Sequence, residues 1–72
     1  NYKELYLETK EMLEEFDFID EVATLTYCKN VDDLKLVHDF IRDKKYKNIY
    51  EIPRYALYLY MKRNHPERII ED

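Results

Sequence analysis

The fold is decided by a central stretch of the chain, residues 31–45, which reads VDDLKLVHDFIRDKK. Its apolar side chains recur every three or four residues, at Leu34, Val37, Phe40 and Ile41. This spacing is the period of an amphipathic α-helix. Aspartates open the stretch and lysines close it, as the helix dipole favours. We therefore predict a helix over residues 32–45, with Asn30 as its N-cap if the helix begins at Val31.

The same period appears upstream of this stretch. Leu5, Met12 and Phe16 fall on one helical stripe, and a row of glutamates marks the opposite face, at Glu4, Glu8, Glu11 and Glu15. An apolar stripe opposite a charged face is typical of a helix packed against a core. Residues 2–16 are therefore predicted to form the first helix.

Proline positions delimit a helix near the end of the chain. Pro53 suits a first helical turn, where its missing N–H costs nothing, and the residue before Pro66 avoids the helical backbone. We predict a helix over residues 53–63, followed by a tail over residues 67–72. The two isoleucines of the tail are expected to pack back on the helix, namely Ile69 and Ile70.

The segment between the first two predicted helices is ambiguous. Residues 19–29 hold several β-branched side chains, which favour a strand as much as a helix. No other segment resembles a strand that could pair with it, so we predict a helix with Asp17 or Asp20 as its N-cap. The apolar connection at residues 46–52 is expected to pack against the core.

The chain contains no glycine among its 72 residues, although average usage predicts about five. Tight hairpin turns, phosphate-binding loops and dinucleotide-binding turns all depend on glycine. Asparagine can replace glycine where helices end, so three asparagines are predicted to mark helix ends: Asn30, Asn48 and Asn64. The expected fold is all-α, a compact bundle of three to four helices with short connections, in a single domain over residues 1–72.

The overall composition excludes several classes of protein. With 46% hydrophobic and 39% charged residues, the chain is too apolar for a disordered tail. Charges interrupt every apolar stretch, and no signal peptide is recognisable, so we expect a cytoplasmic protein without a membrane span. A glycine-free sequence rich in Lys, Glu, Tyr and Ile fits an accessory protein of an AT-rich bacterium or its phage.

Residue types that carry catalysis or metal binding are few and scattered. His38 and His65 lie 27 positions apart, and neither forms a close ligand pair with the single cysteine, Cys28. No spacing places a nucleophile, a base and an oxyanion-stabilising group together. We expect no enzyme activity, metal, cofactor or small-molecule substrate. Cys28 is predicted to be a small buried residue, and His38 to lie at the boundary of the core.

The most unusual segment is residues 55–61, which read YALYLYM. On a helix these side chains point in every direction, and a bundle of this size cannot cover them all. Tyrosine, Met and Arg are enriched in interface cores. We expect a protein-interaction module, acting as a regulator, inhibitor or assembly factor, that binds a protein partner or a second copy of itself. The predicted contact residues are Tyr50, Arg54, Tyr55, Tyr58, Lys62 and Arg63.

Two alternatives remain open for this segment. In the first, it is a central core helix whose tyrosine hydroxyls reach water. In the second, the basic half of the chain binds nucleic acid. Residues 1–36 hold ten acidic and four basic side chains, whereas residues 37–72 hold six and eight. The lysines at positions 44, 45 and 47 could join the last helix in contacting phosphates, although the net charge of the whole chain is −4.

Overall fold

The computed structural model describes residues 1–69, which fold into four α-helices and one closing 3₁₀ turn. The α-helices are α1 (Tyr2–Glu14), α2 (Glu21–Thr26), α3 (Val31–Arg42) and α4 (Glu51–Asn64), and the turn is Pro66–Arg68. α2 and α3 each pack against both α1 and α4. The predicted all-α bundle is confirmed, and residues 1–69 contain no strand.

The core is formed by nine buried apolar side chains from every helix and from the connections before and after α2. They are Leu13, Ile19, Leu25, Cys28, Leu34, Val37, Ile41, Ile52 and Ala56. Cys28 is fully buried, as predicted. His38 is also buried rather than at the boundary of the core, because its helical position falls beside Val37 and Ile41 on the inner face of α3.

α2 is six residues long and shorter than predicted. It begins after Asp20, whose Oδ1 accepts a hydrogen bond from the N–H of Ala23 at 3.1 Å. It ends where the N–H of Cys28 bonds back to the carbonyl of Leu25 in a tightened turn. The hydroxyl of Thr24 donates to the carbonyl of Asp20 at 2.9 Å, so a β-branched polar residue is accommodated within the helix.

α3 begins at Val31, one residue earlier than predicted, and Asn30 is its N-cap, as expected for that start. Asn30 Oδ1 accepts from the N–H of Asp33 at 2.9 Å. The helix ends at Arg42 instead of Lys45, because Lys44 adopts a left-handed backbone with φ of 51°. The N–H groups of Lys44 and Lys45 then bond back into the last turn of α3 at 3.2 and 3.1 Å, which is a Schellman motif.

The predicted role of the asparagines is therefore wrong for two of the three. Asn30 precedes α3, and Asn48 lies in the connection before α4, where its Oδ1 accepts from the N–H of Tyr50 at 3.0 Å. Only Asn64 stands at a helix C-terminus. The left-handed position that normally takes glycine is occupied by Lys44, because the chain has no glycine to place there.

α4 begins two residues earlier than predicted, at Glu51. The carboxylate of Glu51 accepts from the N–H of Asn48 at 3.2 Å and from the N–H of Lys47, which holds the preceding connection against the start of the helix. Pro53 lies in the first turn, as predicted. The connection packs against the core as expected, through half-buried Tyr46 and Ile49 and buried Ile52. At the end of the chain Ile69 is half-buried, and Ile70 lies outside the described residues.

Candidate protein-interaction surface

The apolar segment of α4 is divided between the core and the surface. Ile52 and Ala56 are fully buried, whereas Leu57 and Tyr58 are each 41% exposed. Buried and exposed residues thus follow each other directly along the helix, since successive side chains turn by about 100°. The structure leaves an apolar and aromatic face of α4 open to solvent.

A groove of about 370 Å³ runs between α2 and α4 beside this face. Its lining is mostly apolar and comes from both helices and from the turns that precede them. The principal lining residues are Phe18, Ala23, Tyr27, Tyr50, Pro53 and Leu57. Two charged residues, Asp20 and Arg54, also line it. We refer to this feature as the α2–α4 groove.

Phe18 is the most exposed large apolar residue of the groove, at 77%. It lies in the turn between α1 and α2, where the next residue, Ile19, points into the core and is buried. Tyr50, at the other side of the groove, is 59% exposed. The buried positions near these rings are held by Ile19 and Ile52.

Tyr58 and Lys62 form an exposed pair on α4, outside the lining of the groove. The Lys62 Nζ atom lies 5.8 Å from the centroid of the Tyr58 ring. This distance is within the range of a cation–π contact, which at an exposed site contributes about 0.5–1 kcal/mol. The pair is one helical turn apart, so it lies along the same side of α4 and extends the apolar face with a positive charge.

Tyr55 is directed towards the core and away from the groove. Its ring stacks on Phe40 of α3, with centroids 4.4 Å apart and planes at 23°. Phe40 in turn contacts Tyr46, and Tyr46 meets Phe16 edge-on with a centroid distance of 5.9 Å. This aromatic cluster joins the turn after α1 to α3 and α4, so Tyr55 contributes to the packing of the bundle.

Arg63 is held by an ion pair with Asp33. Its Nε and Nη2 atoms donate to the two carboxylate oxygens of Asp33, each at 2.9 Å. Asn30 Nδ2 adds a third hydrogen bond to the same carboxylate at 3.1 Å. The hydrogen bonds from Arg63 are the main cause that lowers the pKa of Asp33 below its ordinary value. The guanidinium of Arg63 thus links α4 to α3.

The six contact residues predicted from the sequence are therefore not one patch. Tyr50 and Arg54 line the groove, Tyr58 and Lys62 form the exposed pair, and the remaining two, Tyr55 and Arg63, pack on α3. Sequence reasoning missed Phe18 and Leu57. The sequence did hold a signal for Phe18. Residues 17–20 read DFID, and in a short turn with two charged residues one of the two apolar side chains is expected to stay exposed.

The basic side chains proposed for nucleic acid are also dispersed. Arg63 pairs with Asp33, and the neighbouring Arg42, which was not a predicted contact, pairs with Asp39 and Asp43 at 3.3 and 3.0 Å. The lysines at positions 44, 45 and 47 are exposed in the connection between α3 and α4. Within residues 1–69, one of the candidate cations, Arg63, is thus already bound to a carboxylate of the chain itself.

The buried titratable groups lie apart from this surface. Burial, with a smaller contribution from the charge of Asp33, raises the pKa of the Cys28 thiol from 9.0 to about 12. His38 Nε2 lies 3.4 Å from Glu8 Oε1 without hydrogen-bond geometry, and its Nδ1 lies 3.3 Å from Asp39 Oδ1. In the described part of the chain, no three His, Cys, Asp or Glu side chains are grouped as metal ligands.

The helices of residues 1–69 are all too short or too polar to cross a lipid bilayer. The sequence matches no known family model, and no curated protein or solved structure shows significant similarity to it. The physical features of the surface therefore carry the functional argument.

Proposed function

We propose that this chain is a small non-catalytic protein-interaction module that binds through the α2–α4 groove and the exposed face of α4. The observation that carries this proposal is the convergence of Phe18, Tyr50 and Leu57, all exposed, on one groove. Clustered apolar side chains at a groove are characteristic of interaction sites, whereas single exposed ones are ordinary.

The residue types at this surface support the proposal. Tyrosine and arginine are the side chains in which binding energy concentrates at protein interfaces. Tyr50 and Arg54 line the groove, and Tyr58 lies beside it on α4. Such a surface suits a regulator, inhibitor or assembly factor. We place this activity in the cytoplasm, where a single thiol remains reduced.

A comparison of two matched leucine variants tests the proposal. Leu57 lines the groove, and Leu7 is a similarly exposed leucine of α1, at 50%. A photo-crosslinking amino acid at Tyr58 captures whatever binds the face. We expect Leu57→Ser to weaken capture about tenfold or more, the scale of an interface hot spot, and Leu7→Ser to leave it unchanged. Equal capture by all variants, or none by any, would reject the proposal.

A further inference from the structure

The α2–α4 groove carries both a projection and a recess. Phe18 projects from the turn at one side, and the recess beside it is lined by Ala23, Tyr27 and Leu57. An isologous two-fold interface requires a patch that is complementary to itself, so that each copy gives and receives the same feature. An aromatic ring next to an apolar recess satisfies that requirement, because the ring of one copy can enter the recess of the other.

The groove also carries opposite charges, so two copies of it can be electrostatically complementary to each other. Its lining includes one acidic residue, Asp20, and one basic residue, Arg54. Asp20 uses Oδ1 to cap α2, and Arg54 forms no ion pair within residues 1–69. Two copies related by a two-fold axis through this groove can place each Arg54 opposite the Asp20 of the other copy. A partner of a single charge sign would instead leave one of these groups facing a like charge.

A dimer interface of standard size would take a modest share of the surface of this small domain. A standard interface buries about 800 Å² on each partner. The accessible surface of the described chain is 5386 Å², so such an interface would cover roughly 15% of it. Tyr58 of α4 is exposed directly after Leu57 and extends the apolar area beyond the lining of the groove.

We infer that the α2–α4 groove binds a second copy of the chain in a two-fold symmetric dimer. Phe18 of each copy occupies the recess of the other, and Asp20 and Arg54 pair across the axis. This inference rests on the proposed function and names the partner of the same surface.

Sedimentation equilibrium of the full chain, from about 1 µM to about 1 mM, tests the inference over the range of moderate affinities. The variants are Phe18→Ser and the matched control Leu7→Ser. We expect a reversible dimer whose dissociation constant rises about tenfold or more in Phe18→Ser and changes less than about twofold in the control. Because Phe18 is 77% exposed, its replacement leaves the fold intact, which circular dichroism of each variant verifies.

A double-mutant cycle tests the charge pairing. Asp20→Asn keeps an N-cap side chain but removes the charge, and Arg54→Gln removes the opposite charge. Each change is expected to weaken dimerisation about two- to fivefold, and the double variant to be weakened by clearly less than the product of the two. Independent effects in the cycle would overturn the pairing.

Two other outcomes would overturn the inference itself. One is a monomer at every concentration, and the other is a dimer with the same affinity in Phe18→Ser. Neither outcome rejects the proposed function, since a different protein captured at Tyr58 and lost in Leu57→Ser would still establish binding at this face.

Discussion

Arg63 and Asp33 are joined by two parallel hydrogen bonds of 2.9 Å across 30 positions of sequence. The pair connects the last turn of α4 to the first turn of α3. Asp33 is nearly buried, at 3% exposure, whereas about half of Arg63 remains in solvent. A carboxylate in such a position depends on its partner, because a buried charge without hydrogen bonds is costly.

Replacement of Arg63 by glutamine is therefore expected to destabilise the fold. The loss arises at Asp33, whose buried carboxylate keeps only the hydrogen bond from Asn30, and the half-exposure of the Arg63 guanidinium limits its size. Urea unfolding followed by circular dichroism measures it. Arg42→Gln serves as the control, since Arg42 and its partner Asp43 are both exposed, and no measurable change in the free energy of unfolding is expected there. Equal losses in the two variants would contradict the role of the Asp33 pair.

The same pair predicts how stability depends on acid. Arg63 lowers the pKa of Asp33 in the folded protein. The stability that the ion pair contributes is therefore present above the unfolded carboxyl pKa of about 3.9, and it is lost as pH falls through the folded pKa of Asp33. The difference in unfolding free energy between wild type and Arg63→Gln should hence shrink below about pH 4. Urea midpoints between neutral pH and pH 2 measure this difference, and a gap that stays constant would refute the linkage.

Alkaline pH should act through Cys28. Its pKa is raised from 9.0 to about 12 by burial in the core. The stability that the neutral Cys28 thiol contributes is therefore fully present below the unfolded thiol pKa. That contribution is lost as pH rises from about 8.5 towards the folded value. Cys28→Ala removes this dependence while leaving the tyrosines unchanged. We expect wild type to lose more stability than Cys28→Ala between pH 8 and pH 10, as measured by urea unfolding. Parallel pH profiles would rule this explanation out.

Lys44 offers a direct test of backbone strain. A side chain at its positive φ costs about 1–2 kcal/mol, which glycine avoids, although glycine also loses more entropy on folding. Lys44→Gly is consequently expected to stabilise the protein by about 0.5–1 kcal/mol. Lys45→Gly, whose φ is not positive, should be neutral or destabilising. Thermal melts of both variants distinguish them, and a destabilised Lys44→Gly would contradict the argument.

The nucleic-acid alternative can be separated from protein binding by salt dependence. Contacts with phosphates weaken steeply as salt rises, whereas apolar contacts persist. With Arg63 held by Asp33, we expect no retention of DNA or RNA in gel shifts at low salt. A shift that disappears in Lys62→Glu combined with Lys45→Glu, and that also fades with salt, would instead establish the alternative function.

Local sequence patterns placed a helix end well where that end carries a signal. α3 combines a strong apolar period with the cap of Asn30, and its beginning was placed to within one residue. Its end was not, because a lysine in a left-handed backbone has no sequence signature. α2 was predicted too long for a related reason: the tightened turn at Cys28, which closes the helix, involves only backbone groups.

The candidate surface was less predictable because it depends on how distant elements meet. Tyr55 and Tyr58 are three positions apart on α4 and share a side by periodicity. Even so, Tyr55 stacks on Phe40 of α3, whereas Tyr58 remains exposed. The groove similarly requires the turn at Phe18 and the start of α4 to come together. No local pattern encodes that arrangement, although the apolar run on α4 correctly indicated a face that the bundle would leave uncovered.

The shortness of α2 has a dynamic consequence for the groove. A helix of six residues is too short to persist by itself in water, so α2 depends on its contacts with α1 and α4. Segments of this kind open by local unfolding more readily than the rest of a domain, and their amides exchange early with solvent. One wall of the groove is therefore its least stable part. Any occupant that packs against Ala23 and Tyr27 would slow amide exchange throughout α2, coupling binding to the order of the helix itself.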